Sequence, residues 1–130
     1  MSKPILCVDF DGVIHSYSSG WKGAAVIPDP PVPGALQFLA AATEFFTVAI
    51  FSSRSHQEGG QQAMREYIGR WSVDPVHGMP PDFDHGTWGM IQWPTEKPAA
   101  FVSIDDRAIQ FTGEWPAIGD LRNFKPWNKR

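Results

Sequence analysis

Pro4-Ile5-Leu6-Cys7-Val8-Asp9-Phe10-Asp11-Gly12-Val13-Ile14-His15 is the stretch whose reading decides the fold. Ile5 to Val8 is a short, unbroken apolar run, the pattern of a strand buried on both faces in a parallel sheet. Two carboxylates then arrive one residue apart, followed by a glycine. Aspartate is a poor strand residue and costly to bury, so acids at the end of a buried strand need a specific reason. Taken alone, Asp-x-Asp-Gly reads as a polar turn leaving the strand. In open α/β sheets, however, ligands sit just beyond the carboxyl ends of the strands, where Asp9 and Asp11 would stand. Matching polar groups after two more apolar runs favour that second reading.

The 130 residues suit one domain with a core of ordinary size. A hydrophobic share of 42% and a charged share of 19% describe a soluble globular chain. The net charge of −3 gives no basic footprint for wrapping nucleic acid, though a local positive groove is compatible with it. No apolar run approaches the roughly 20 residues that cross a bilayer, so no membrane association is expected. Met1-Ser2-Lys3-Pro4 runs straight into an acid-bearing strand, unlike a signal peptide. Cys7, the single cysteine, lies inside that strand and fits core packing in a reducing, cytoplasmic setting. Twelve prolines and twelve glycines cluster at 28–34, 78–98 and 113–126 and mark loops.

Ser16 to Gly34 is an irregular connector, able to hold a turn and a hairpin but too short for an inserted domain. Pro33-Gly34 opens a predicted helix, Ala35 to Phe45, with Leu36, Leu39 and Ala42 on its apolar face. Phe46 to Phe51 is a second strand, ending in Ser52-Ser53-Arg54-Ser55. Hydroxyls and an arginine there make an oxyanion site, or else an ordinary serine-rich helix entry. Gln57 to Trp71 reads as a second helix, with Met64, Ile68 and Trp71 at helical spacing. Residues 72–98 carry too many prolines and glycines for long elements, with a short strand around Met90 to Trp93. His77, Asp82, Asp84 and His85 fit no familiar zinc spacing and read as a solvated loop. Phe101 to Ile104 is a third buried strand, ending in Asp105-Asp106-Arg107, and Ile109 to Thr112 is a candidate fourth.

If the three strong strands are parallel neighbours, one rim gathers Asp9, Asp11, Asp105 and Asp106 with Ser52, Arg54 and Lys97. Four carboxylates at close range repel unless protonated or neutralised. A divalent cation solves this, and oxygen-only ligands favour Mg²⁺ over zinc. Lysine, arginine and serine beside the ion make a pocket for a tetrahedral anion, with phosphate the leading candidate. One carboxylate could attack phosphorus while a second protonates the departing oxygen.

Asp9-Phe10-Asp11-Gly12-Val13, the strand ending in Ser52, Lys97 and the pair Asp105-Asp106 resemble, in order, the four motifs of the haloacid dehalogenase (HAD) superfamily. The matching segments span residues 5–106. The resemblance implies residues 1–130 as a single HAD-like hydrolase domain: an α/β fold with a Rossmann-like parallel sheet flanked by helices, its first strand central, and no cap domain. It implies a Mg²⁺-dependent phosphomonoester hydrolase, with Asp9 the nucleophile that becomes an aspartyl-phosphate and Asp11 the general acid and then base. Ser52 and Lys97 would bind the phosphoryl oxygens. Mg²⁺ would take the Asp9 side chain, the Asp11 backbone carbonyl and Asp106, with Asp105 supporting. The second acid, Asp11, argues for phosphate chemistry over dehalogenation.

Ser52-Ser53-Arg54 and Ile104-Asp105-Asp106-Arg107 also resemble the phosphatase half of polynucleotide kinases, where the arginine after the serine contacts phosphate. That likeness nominates a nucleotide or a phosphorylated nucleic-acid end beside phosphorylated small molecules. The missing cap implies an open site, whose mouth Tyr17, Trp21, Trp88 and Trp93 could line and where they could stack on a base, although core or surface packing is the commoner role for each. His15, just past the motif, reads as structural rather than as a leaving-group contact. Two other classes stay in view. A receiver-like domain uses a similar residue set, but its lysine follows all the acids, whereas Lys97 precedes Asp105. A catalytically silent phosphate-binding domain would need a missing motif residue, and none is missing.

Overall fold

The computed structural model describes residues 2–72 and 86–129. Three strands, β1 (Ile5–Val8), β2 (Thr47–Ile50) and β3 (Val102–Ile104), form a parallel sheet in the order β2-β1-β3. Ile5 pairs with Thr47 and Val8 with Ile50 on one side, while Leu6 pairs with Val102 and Val8 with Ile104 on the other. A neighbour on each side explains the unbroken apolar run of β1, in which Leu6, Cys7 and Val8 are buried. The expected parallel arrangement with the first strand in the middle is therefore present, in an α/β fold.

Helix α1 (Ala35–Ala42) stops three residues short of its predicted end, where Thr43 turns its hydroxyl onto the Ala40 carbonyl at 2.7 Å. Helix α2 (Gly60–Trp71) starts three residues late. The cause is the pair Gly59-Gly60: Gly59 sits at φ 76°, and a Cβ on Gly60 would collide with the Arg54 carbonyl. Leu39 and Ala42 of α1 and Met64, Tyr67 and Ile68 of α2 join Leu6, Val8, Phe10, Val48 and Ile50 in one core. Burying each large side chain contributes about 1.5–3 kcal/mol. Trp71, at helical spacing with Met64 and Ile68, stays 45% exposed at the helix end. Short helices α3 (Gly86–Gly89) and α4 (Ile118–Arg122) and a 3₁₀ turn at Trp127–Lys129 complete the elements.

Three sequence expectations change. The strand expected around Met90 to Trp93 shrinks to one bridge between Ala49 and Gln92, with Gln92 exchanging hydrogen bonds with Val48 and Ile50. β3 is not buried: Val102 is 45% and Ile104 37% exposed, because among the described residues only β1 pairs with it. Ile109 to Thr112 forms no strand; the segment is exposed and ends at Gly113, φ 99°. The connector does fold back on itself, through an antiparallel bridge between His15 and Pro31. The histidine and aspartate group at 77–85 lies outside the described residues. Among those that are described, no helix is long and apolar enough to cross a membrane.

Candidate active site

Parallel pairing sends the chain out of β1, β2 and β3 at the same edge, and the polar residues after each strand meet there. Asp9, Asp11, Tyr17, Ser52, Ser53, Lys97, Asp105, Asp106 and Arg107 line a cleft of about 460 Å³. Carboxylate oxygens of Asp9, Asp105 and Asp106 lie within 4.8 Å of one another. Of the sequence-predicted site residues, only Arg54 is absent from the lining.

The three clustered acids could hold a metal ion, and two observations test the fit. First, burial, a hydrogen bond shared with Asp106 and the charges of Asp105 and Asp106 push the Asp9 carboxyl up to about 8, against one favourable bond from the Phe10 N–H. Such crowding is what a cation relieves. Second, Gly12 stands at φ 80° directly against Asp106, and a Cβ there would collide with its carboxylate. The glycine thus serves both the turn and the approach of Asp106 to the cluster. Oxygen-only donors suit a hard cation. Asp106 is 3% exposed at its side chain, with Arg107 Nε 3.8 Å away, and Asp105 accepts the Arg107 N–H at 2.8 Å.

Asp11 stands apart from that group. Its Oδ2 accepts Arg54 Nε at 2.9 Å, and its Oδ1 accepts Arg54 Nη2 at 3.1 Å and pairs with His15 Nδ1 at 2.9 Å. Burial would push this carboxyl up, but the hydrogen bonds from His15 and Arg54 outweigh it and hold it below the usual carboxylate range. Arg54 is fully buried, and Nη1 donates to the carbonyls of Gly23, Ala24 and Val26 at 2.7 to 3.2 Å. Trp21 covers the guanidinium, 4.7 Å from its ring centroid. The arginine expected at phosphate is instead a bidentate clamp on Asp11 and a staple for the connector.

His15 is fully buried and does not line the cleft, in keeping with a structural reading. Its Nε2 accepts the Asp29 N–H at 3.1 Å, so its proton sits on Nδ1 and points at Asp11. Asp29 is anchored in turn: Ser19 gives its carboxylate a hydroxyl bond of 2.6 Å and an N–H bond of 2.8 Å. These bonds, the hydroxyl first, hold the Asp29 carboxyl below its ordinary value. Tyr67 on α2 donates to the Asp29 carbonyl at 2.8 Å, tying the relay to the core. Sequence reading missed Asp29, because nothing marks an aspartate between prolines as a partner for a histidine fourteen positions earlier.

Ser52 is buried, and its hydroxyl accepts the Arg54 N–H at 2.9 Å, while Ser53 is exposed on the cleft wall. Lys97 is exposed and lines the cleft; its charge partly offsets the burial that pushes the Cys7 thiol up. Trp88 and Trp93 do not line the mouth; they pack against the core and flank a separate hollow with Gln62 and Arg65. The C-terminal turn also reaches the site. Trp127 Nε1 donates to the Gly12 carbonyl at 2.7 Å, and Asn128 Nδ2 to the Ser16 carbonyl at 3.1 Å.

Comparison with protein-family models, curated proteins and solved structures finds no match for the chain.

Proposed function

We propose that the protein is a Mg²⁺-dependent phosphomonoester hydrolase of the HAD type, acting through an aspartyl-phosphate on Asp9. One observation carries the reading: Asp9, Asp105 and Asp106 converge at the edge of a parallel sheet, in one cleft with Asp11, Ser52, Ser53 and Lys97. In this reading the sheet is a small Rossmann-like one, without a cap over the cleft. A cytoplasmic setting suits the buried free thiol of Cys7.

Asp9, Asp105 and Asp106 would hold Mg²⁺, which when bound neutralises phosphate charge and the crowding of the acids. Asp9 attacks phosphorus, forming the Oδ–P bond as the ester O–P bond breaks. Lys97 and the Ser53 hydroxyl would face the phosphoryl oxygens, joined by Ser52 once its hydroxyl turns from Met64 Sδ, 3.6 Å away. Asp11 gives its proton to the departing alkoxide. In the second half, Asp11 takes a proton from water, which cleaves the Asp9–phosphate bond and releases inorganic phosphate. Its depressed carboxyl is ionised, as the base step requires. A phosphate dianion docked beside it would push it up, toward the protonated form the acid step requires, since a like charge disfavours the carboxylate. Arg54 and His15 act through Asp11 as positioning residues, fixing its rotamer and supporting its charge.

The test is turnover of a panel of phosphomonoesters with Mg²⁺ and with chelator, including nucleotides, sugar phosphates and phosphorylated oligonucleotides. Wild type should release phosphate only with the metal, and Asp9→Asn should release none while keeping its fold by circular dichroism. Full activity in Asp9→Asn, or in chelator, would refute the mechanism.

A further inference from the structure

The cleft is larger than a phosphate group requires. At about 460 Å³ it lies in the size range of pockets that enclose a whole small molecule. Its wall includes Tyr17, the one non-glycine among the described residues with positive φ, 61°. Aspartate and asparagine tolerate that conformation through local hydrogen bonds, which a phenol cannot make to its own backbone. What holds the ring is an edge-to-face seat on His15, centroids 5.8 Å apart at 70°. His15 is itself locked between Asp11 and Asp29. A bulky residue in a disfavoured backbone state, backed by a buried relay and set against the acids, marks a position fixed by what the ring does. Tyr17 lines the same cleft as Asp9, Asp11 and Asp106, which sets the phenol among the reacting groups. Phe51, which also lines the cleft, continues β2 with its N–H on the Val8 carbonyl and needs no such strain.

We propose that Tyr17 is a specificity-determining platform on which a planar aromatic part of the leaving group stacks, so that the preferred ester carries a heteroaromatic ring near its phosphate. The proposal rests on the hydrolase reading and adds the substrate class. Two sources share that chemistry, a free nucleoside monophosphate and the phosphorylated end of a nucleic acid. Stacking of a base on an aromatic side chain needs no hydrogen-bond readout, so the ring should accept any base.

The experiment measures kcat and KM with Mg²⁺ for wild type, Tyr17→Phe and Tyr17→Ala on adenosine monophosphate, a 3′-phosphorylated oligonucleotide and glycerol phosphate. Tyr17→Ala should raise KM about tenfold or more for the two aromatic esters, within the range of base stacking, and less than twofold for glycerol phosphate. Tyr17→Phe should behave as wild type. The lower wild-type KM of the two aromatic esters identifies the source. Equal losses on all three esters, or no change on the aromatic ones, would overturn the platform while leaving the hydrolase intact. Independently of turnover, saturation transfer from wild-type protein to the base protons of adenosine should be seen and should vanish in Tyr17→Ala. Its absence from wild type overturns the platform. Failure of wild type to hydrolyse any ester would instead overturn the hydrolase reading.

Discussion

Replacing Arg54 with methionine separates a clamp from a phosphate contact. The guanidinium is fully buried and makes two bonds to Asp11 and three to the carbonyls of residues 23, 24 and 26. Methionine keeps much of the volume and leaves Asp11, 13% exposed at its side chain, with His15 alone. Removing one partner of a buried ion pair costs about 3–5 kcal/mol. The three carbonyls are partly exposed and can turn to water, so the loss should fall near the low end, about 3 kcal/mol. A domain of this size has roughly 5–15 kcal/mol in total, so the effect is large. With a urea slope of about 2 kcal/mol/M, the midpoint should drop by about 1.5 M at unchanged slope. Arg54→Lys should recover little, because an ammonium cannot fork across both carboxylate oxygens. In a double-mutant cycle, Arg54→Met and Asp11→Asn should couple by more than about 1.5 kcal/mol. A midpoint within about 0.5 M of wild type, together with a raised KM for phosphate esters, would refute the clamp and restore Arg54 to the phosphate.

Asp9 sets a pH dependence. Its carboxyl lies at about 8 in the folded chain against an ordinary 3.8, so the folded state binds more protons between those values and stability falls as pH rises. Urea midpoints of chelated protein should therefore drop from pH 5 to pH 9, and Mg²⁺ at pH 8 should restore them; a flat profile would count against the crowded acids. Gly12→Ala should weaken stabilisation by Mg²⁺ more than it lowers the cation-free midpoint, because the added methyl displaces Asp106 as well as straining a φ of 80°; equal shifts with and without the ion would contradict that. Gly60→Ala should destabilise by about 1–3 kcal/mol in urea melts, since its Cβ meets the Arg54 carbonyl; a neutral result would mean that the turn yields freely.

How much was legible can be followed residue by residue. The run Ile5 to Val8 carried its own evidence, because a central strand must be apolar on both faces and the acids after it break a strong rule. The same pattern misled at Phe101 to Ile104, since three apolar residues and a serine cannot reveal whether a second neighbour exists to cover them. Arg54 was placed at the correct edge, but its partner is 43 positions away and local sequence holds no trace of their bond. The late start of α2 follows from one backbone contact at Gly60 that helix periodicity ignores. Tyr17 was one of four aromatics placed at the mouth from sequence, and its backbone angle and place in the cleft single it out among them.

The bond between Trp127 and Gly12 joins positions 115 apart. Pairing of β3 with β1 already brings Ile104 beside Val8, so the bond fastens the 105–126 segment onto a sheet that has formed and belongs late in folding. A refolding chain would then regain its circular dichroism before the turn that bears the two aspartates is fastened. Activity should lag behind compaction in stopped-flow refolding, and substituting phenylalanine for Trp127 should abolish the lag by removing the step that defines it.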